Sequence, residues 1–213
     1  MQAAPLTIPA DPDQLALHIQ WLQDQLQAAK QLRSEIKQSS KQAADSPASP
    51  PAVLDQLAHD QDRAVRRRVA RNLSCPPETL ERLARDQDDW VRRVAARNPT
   101  CPPTALERLA QDPQDDTGRR GVAGNSACPP AVLIQLAGDP WWEVRKKVAA
   151  HCGAPLAVLE LLAGDQHRDV RLAVARSISS PPAVLGHLLQ DAMPKVAAAA
   201  AGNPGCPPHL RTP

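Results

Sequence analysis

Tyrosine and phenylalanine are absent from the 213 residues, and four tryptophans are the whole aromatic complement. A single large globular core draws on aromatic bulk, whereas leucine, valine and alanine suffice between stacked helices. The same absence removes Tyr and Phe as platforms for base stacking. No apolar run approaches the about 18 residues of a membrane span, so no membrane partner is expected. The opening MQAAPLTIPADPDQ has no basic region leading into an apolar stretch, so no secretory signal is expected. Neither sign of charge dominates: 25 basic and 23 acidic side chains leave +2, too even for nucleic-acid or membrane binding by bulk field alone.

Close cysteine pairs are missing too. Five cysteines without a C-x-x-C pair suit reduced thiols in a cytoplasm better than a disulfide framework or a metal site. His18, His59, His151, His167, His187 and His209 show no i, i+4 pairing, and neither a Walker loop nor a nucleophile elbow is present. No catalytic residue, metal or cofactor is therefore expected, and the chain does not read as an enzyme.

What the sequence has in quantity is proline, and its prolines keep a phase. The first proline of each unit falls at Pro50, Pro76, Pro102, Pro129, Pro155, Pro181 and Pro207, at intervals of 26, 26, 27, 26, 26 and 26 residues. Self-similarity at such a period is the signature of a solenoid. Four residues after each of the first six stands a leucine (Leu54, Leu80, Leu106, Leu133, Leu159, Leu185), and three further on another (Leu57, Leu83, Leu109, Leu136, Leu162, Leu188). Ala58, Ala84, Ala110, Ala137, Ala163 and Leu189 follow, and then an aspartate: Asp60, Asp86, Asp112, Asp139, Asp165, Asp191.

These spacings describe a helical hairpin. Proline opens a short helix, where its missing N–H had no partner. Leu, Leu and Ala at i, i+3, i+4 give that helix one apolar stripe, over Pro76 to Arg85 in the clearest copy. The aspartate suits a turn or the N-cap of a second helix, which reads DDWVRRVAAR over residues 88–97. Asn98, with Asn72, Asn125 and Asn203 at the same position, suits a left-handed helix end. A lone hairpin cannot bury its stripe; stacked hairpins can.

The segment VARNLSCPPETLERLARDQDDWVRRVAARN resembles the leucine-rich repeat variant family of bacterial proteins, and its Asp…Val-Arg signature is similar to HEAT-like helical repeats. The resemblance runs over about residues 47 to 213. It implies an all-α, right-handed superhelix of about six two-helix repeats, in which one helix of each pair is sometimes 3₁₀. An N-terminal iron–sulfur cluster, carried by one family member, is not expected here, because no cysteine precedes Cys75.

The expected organisation is a disordered N-terminus (1–12), an amphipathic helix (13–38), a linker (39–49) and the repeat solenoid (50–213). Leu15, Ile19, Leu22, Leu26, Ala29, Leu32 and Ile36 step by 4 and 3 residues, as for a helix capping the first repeat; a short coiled coil is the weaker alternative. The third unit departs from the pattern, with Gly118, Gly121 and Gly124 in its second helix. Each interior glycine costs a helix about 1 kcal/mol against alanine, so either low local stability with altered curvature or simple repeat decay is expected. The last unit ends at PPHLRTP, too short for a hairpin.

Four sets of side chains bear on function. Asp60 and Arg66, Asp86 and Arg92, Asp139 and Arg145, and Asp165 and Arg171 stand six apart, with Arg119 shifted by the insertion and Ala197 in the sixth unit. They are expected to form a structural ladder between neighbouring turns. Arg67, Arg93, Arg97, Arg120, Lys146 and Lys147, with Arg68, Arg71 and Arg176, should align on the second helices. If those helices line a concave side, an acidic protein segment or a phosphate backbone can bind there; a solvated face is the plainer reading. Cys75, Cys101, Cys128 and Cys206 hold one repeat position and read as small buried residues. Trp90, Trp141 and Trp142 fall in interhelix turns, as partner anchors or as packing over the next turn. Asp139 beside Trp141 is similar to the pairing in HEAT-like solenoids that act on alkylated DNA, but aspartate is already a repeat position. Recognition of an unidentified protein is the expected function, with nucleic-acid binding by the Arg/Lys stripe as the alternative.

Overall fold

The computed structural model describes residues 11–210, and these fall into two units, Met1–Ala43 and Ala44–Pro213. The first holds most of α1 (Pro12–Asp45). Gln, Ala, Leu and Lys are strong helix formers, and the Asp11 side chain accepts from the Asp13 N–H at its start. Leu17, Ile19, Trp21, Leu22, Leu26, Leu32 and Ile36 are all exposed. The expected linker over 39–49 is corrected, because the helix continues to Asp45. The expected disordered stretch, residues 1–12, lies outside the described residues apart from Asp11 and Pro12.

The second unit is a stack of helix pairs: α2 (Pro51–Leu57) with α3 (Arg63–Arg71), α4 (Pro77–Leu83) with α5 (Asp89–Arg97), α6 (Pro103–Gln111) with α7 (Asp116–Ala123), α8 (Pro130–Leu136) with α9 (Trp142–Ala149), α10 (Leu156–Ala163) with α11 (Arg168–Arg176), and α12 (Pro182–Leu188) with α13 (Pro194–Ala201). No strand occurs among the described residues. Both helices of every pair are α; among the described residues 3₁₀ geometry occurs only at Pro208–Leu210. In α4 the first proline of the pair, Pro76, sits extended at the N-cap (φ −59°, ψ 143°) and the second opens the helix, as the fixed proline φ favours. The two leucine columns are buried from end to end, except Leu57, which is half-buried.

The repeat aspartate serves the turn, not the N-cap. Asp86 accepts from the Asp88 N–H, and Asp88 then caps α5 by accepting from Val91 N–H. The same aspartate receives the preceding unit's arginine. Arg66 donates from Nε and Nη2 to the two Asp86 oxygens at 2.6 and 2.9 Å, and from Nη1 to the Asp60 carbonyl of its own turn at 2.8 Å. Arg145 holds Asp165, and Arg171 holds Asp191, in the same fork. The ladder therefore joins consecutive units through the carboxylates, while each unit's own aspartate contributes a backbone oxygen. At the 27-residue unit the register shifts: Arg92 takes Asp115 in place of Asp112, and Arg119 carries on to Asp139.

A second ladder runs beside the first. Asn98 donates to the carbonyls of Ala70 and Asn72, and Asn125 to those of Ala96 and Asn98. At Asn72 and Asn98 the backbone is extended (φ −67°, ψ 126°), and no described residue has positive φ, so the left-handed role expected of asparagine is corrected. What selects it is an amide that reaches two carbonyls of the previous unit while accepting from the N–H two residues on. His151 substitutes in the fourth unit: its Nδ1 accepts from Gly153 N–H and its Nε2 donates to the Asn125 carbonyl at 2.7 Å.

Asn72 donates to Ala44 and Ser46, one repeat before Ala70 and Asn72. Ala44 is fully buried and Asp45 pairs with Arg68. The solenoid thus begins at residue 44 with a degenerate half-repeat, not at residue 50.

Arg171→Ala should lower stability by about 3 kcal/mol at pH 7, since it strands a buried carboxylate. The Arg171 guanidinium holds the Asp191 carboxyl below its ordinary range. A carboxyl depressed in the folded state contributes stability above the usual value of about 3.9 and loses it as pH falls through the folded value. Urea denaturation should therefore show the deficit narrowing on acidification; a deficit independent of pH would remove the ladder as its cause.

Candidate functional site

The second helices stack side by side and carry the cations at fixed repeat positions. Arg67, Arg93, Arg120 and Lys146 form one column, which ends in Leu172 and Ala198. The cations of α3 and those of the middle helices differ in their partners. Arg68 and Arg71 face Asp45. Arg93, Arg97, Lys146 and Lys147 have no carboxylate partner among the described residues, and Arg120 has only Asp116, at 3.8 Å. The Arg120 Nε is buried without a hydrogen-bond partner.

These five cations converge. Partial burial, then the charges of Arg120 and Arg97, hold the Arg93 guanidinium below its ordinary value. Lys147 is lowered by desolvation and then by Arg97, Arg93, Lys146 and Arg120, so the ammonium of α9 feels guanidinium groups two helices away on α5. Glycine explains the reach. A Cβ on Gly121 would meet the Arg93 carbonyl at 2.6 Å and the Ala96 Cβ at 2.9 Å, and one on Gly124 would lie 3.5 Å from the Arg97 Nε. α7 is pulled tightly against α5. At Gly121 the absence of a side chain lets the two helices touch, and α7 is largely buried.

The tryptophans separate. Trp141 is about half exposed at the N-cap of α9. Trp142, expected to act with it, packs against the core and stacks on His167 at 3.9 Å, with Lys146 over its ring at 5.5 Å. Trp90 is exposed, and the Arg93 guanidinium lies 5.0 Å from its ring centre, a cation–π geometry. Adjacent residues diverge because the first is extended and the second already helical.

A feature without a signature in the sequence adjoins the cations. A groove of about 430 Å³ lies between α9 and α11, lined by Ala150, Leu172, Ala173 and Ile178, with Lys146, Asp169 and Arg176 at its polar positions. Cys75, Cys101, Cys128 and Cys206 are buried as expected, and Cys152 is exposed beside this groove. Burial pushes the Cys75 and Cys101 thiols up to about 12 and that of Cys128 to about 11. No group of three or more His, Cys, Asp or Glu side chains able to hold a metal occurs among the described residues. No described helix is long and apolar enough to cross a membrane.

Paired helices, two inter-unit ladders and an unbroken leucine core define an α-helical repeat solenoid. The leucine-rich repeat variant family model matches residues 63–88 and 89–114. A solved structure described as a leucine-rich repeat variant with a novel repetitive structural motif is similar at 31% identity over 76% of this chain and 69% of that one, with a TM-score of 0.55. The Escherichia coli protein YibA shares the fold at 20% identity over 78% of this chain and 72% of that one, with a TM-score of 0.52. No curated protein matches the sequence. The chain belongs to the leucine-rich repeat variant family.

Gly121→Ala should destabilise by about 1–3 kcal/mol through overpacking, despite the helix propensity of alanine, whereas Gly124→Ala at the helix end should change little. Thermal unfolding of both variants decides; a stabilised Gly121→Ala would return α7 to repeat decay. Iodoacetamide at mild alkaline pH should label Cys152 alone in the native protein and all five thiols in urea, and fast native labelling of a second would contradict the buried column.

Proposed function

We propose that the protein is a scaffold that holds a protein partner on the face formed by its second helices. The supporting observation is a contrast in charge pairing. Every ladder arginine from Arg66 to Arg171 holds a carboxylate. Arg93, Arg97, Lys146 and Lys147, on the same helices, hold none among the described residues. Like charges brought together without counter-charges raise the local potential and favour an anionic partner. Exposed Trp141 supplies an aromatic anchor beside them. A solenoid offers such a surface without a catalytic cleft, so the role is binding without catalysis, in a reducing cytoplasm that keeps the five thiols free.

Nucleic-acid binding is the second reading, favoured by the same cations and predicting affinity that falls steeply with salt. Affinity capture from native lysate, with and without nuclease, separates the two. A protein retained in stoichiometric amount after nuclease, and weakened by Trp141→Ala with unchanged far-ultraviolet circular dichroism, is the expected result. Bound material that disappears with nuclease would move the function to nucleic acid.

A further inference from the structure

We infer that α1 is a homodimerisation helix. Two copies of the protein pair antiparallel through its apolar stripe, with Leu22 of one copy against Leu26 of the other. The partner on this surface is a second copy of the chain, joined through an element that the second-helix face does not use.

Three observations carry this. First, the stripe is uncovered: Ile19, Leu22, Leu26, Leu32 and Ile36 are 44–59% exposed. The polar side of the helix is satisfied from within, where Gln20 donates to Asp24 at 3.0 Å and Gln31 to Glu35 at 2.9 Å. Most of a helix's stability comes from covering its apolar face, and α1 carries that face along 34 residues. Second, charge is segregated along the helix. Residues 11–29 hold Asp11, Asp13 and Asp24 and no Lys or Arg. Residues 30–45 hold Lys30, Arg33, Lys37 and Lys41 against Glu35 and Asp45, and Asp45 is taken up by Arg68. Antiparallel pairing lays the acidic half of each copy on the basic half of the other and opposes the helix dipoles; parallel pairing sets like against like. The pattern is thus complementary to itself, as a two-fold interface requires. Charges on an exposed helix set the orientation, and the apolar side chains supply the energy. Third, one register suits every member of the stripe, which steps by 4 and 3 residues from Leu15 to Ile36. With Leu22 against the partner's Leu26, Ile19 stands against Ala29, a large side chain against a small one. Arg33 then stands against Leu15, one turn from the partner's Asp11. A parallel pair would set Arg33 against Arg33 in the seam. Leu32 shares one flank of the stripe with His18 and Trp21, whose rings stack at 5.9 Å. Antiparallel pairing brings like flanks together, so Leu32 meets those rings on the other copy.

Sedimentation velocity of the intact chain at micromolar concentration tests the pairing. The native protein should sediment at twice the chain mass of 22.9 kDa, and the paired change Leu22→Glu with Leu26→Glu at the single mass. Circular dichroism checks the fold, and Leu22→Ser with Leu26→Ser stands in should the glutamates unfold the solenoid. Orientation is read by disulfide formation in a Cys152→Ser background, which removes the exposed native thiol. Chains carrying Ile19→Cys are mixed with chains carrying Ala29→Cys and oxidised. Antiparallel pairing predicts that the mixed disulfide dominates, whereas a parallel pair would join like with like. A monomeric native chain, a dimer that survives both leucine changes, or dominant like-with-like disulfides would each overturn the inference. A monomer that sediments with phosphatidylserine vesicles would do so by assigning the stripe to a lipid surface.

Discussion

A guanidinium offers five N–H donors in a rigid plane, and the ladder arginines spend them in two directions. Nε and Nη2 go forward to the carboxylate of the next unit, and Nη1 goes back to carbonyls of the unit's own turn. The aspartate that receives the fork also accepts from a turn N–H, as Asp86 does from Asp88. One residue pair thus closes the interhelix turn and fixes the register of one second helix against the next. The leucine columns provide the burial, but leucine against leucine can slide. A bidentate ion pair cannot, because moving by one residue leaves a buried charge on each side.

The asparagine ladder repeats this logic at the other end of the second helices, with a neutral amide. Its members are interchangeable only with a side chain that both accepts locally and donates across the unit boundary, which a neutral histidine does at His151. Ser177 lacks that reach. There the boundary is held instead by Ser179, which donates to the Cys152 carbonyl.

The repeat was legible because its signals are short-range and periodic: two leucines, a proline and an aspartate in phase. The asparagine role was not, since its meaning lies in carbonyls some 26 to 28 residues earlier. The half-repeat at residue 44 is disguised because Ser46 and Ser49 stand where Asn72 and Cys75 stand 26 residues later. Of the site, the list of cations was readable, but their convergence was not. It depends on Gly121, whose value is a contact distance and not a residue preference. The groove beside α11 involves residues from two units with nothing in common in sequence.

Because every fork points toward the C-terminal side, each unit gives to its successor what it received from its predecessor. Deleting or duplicating a regular 26-residue unit ahead of the sixth leaves the remaining forks matched, so the array can grow or shrink by whole units over evolutionary time without a new interface being invented. The 27-residue unit is the exception: its joint uses Asp115 in place of Asp112. A recombination event that cuts through it would leave Arg92 without its carboxylate. The close α5–α7 contact at Gly121 and the cations around it sit at the joint where such shuffling is penalised, which makes that neighbourhood the natural fixed point of an otherwise extensible chain.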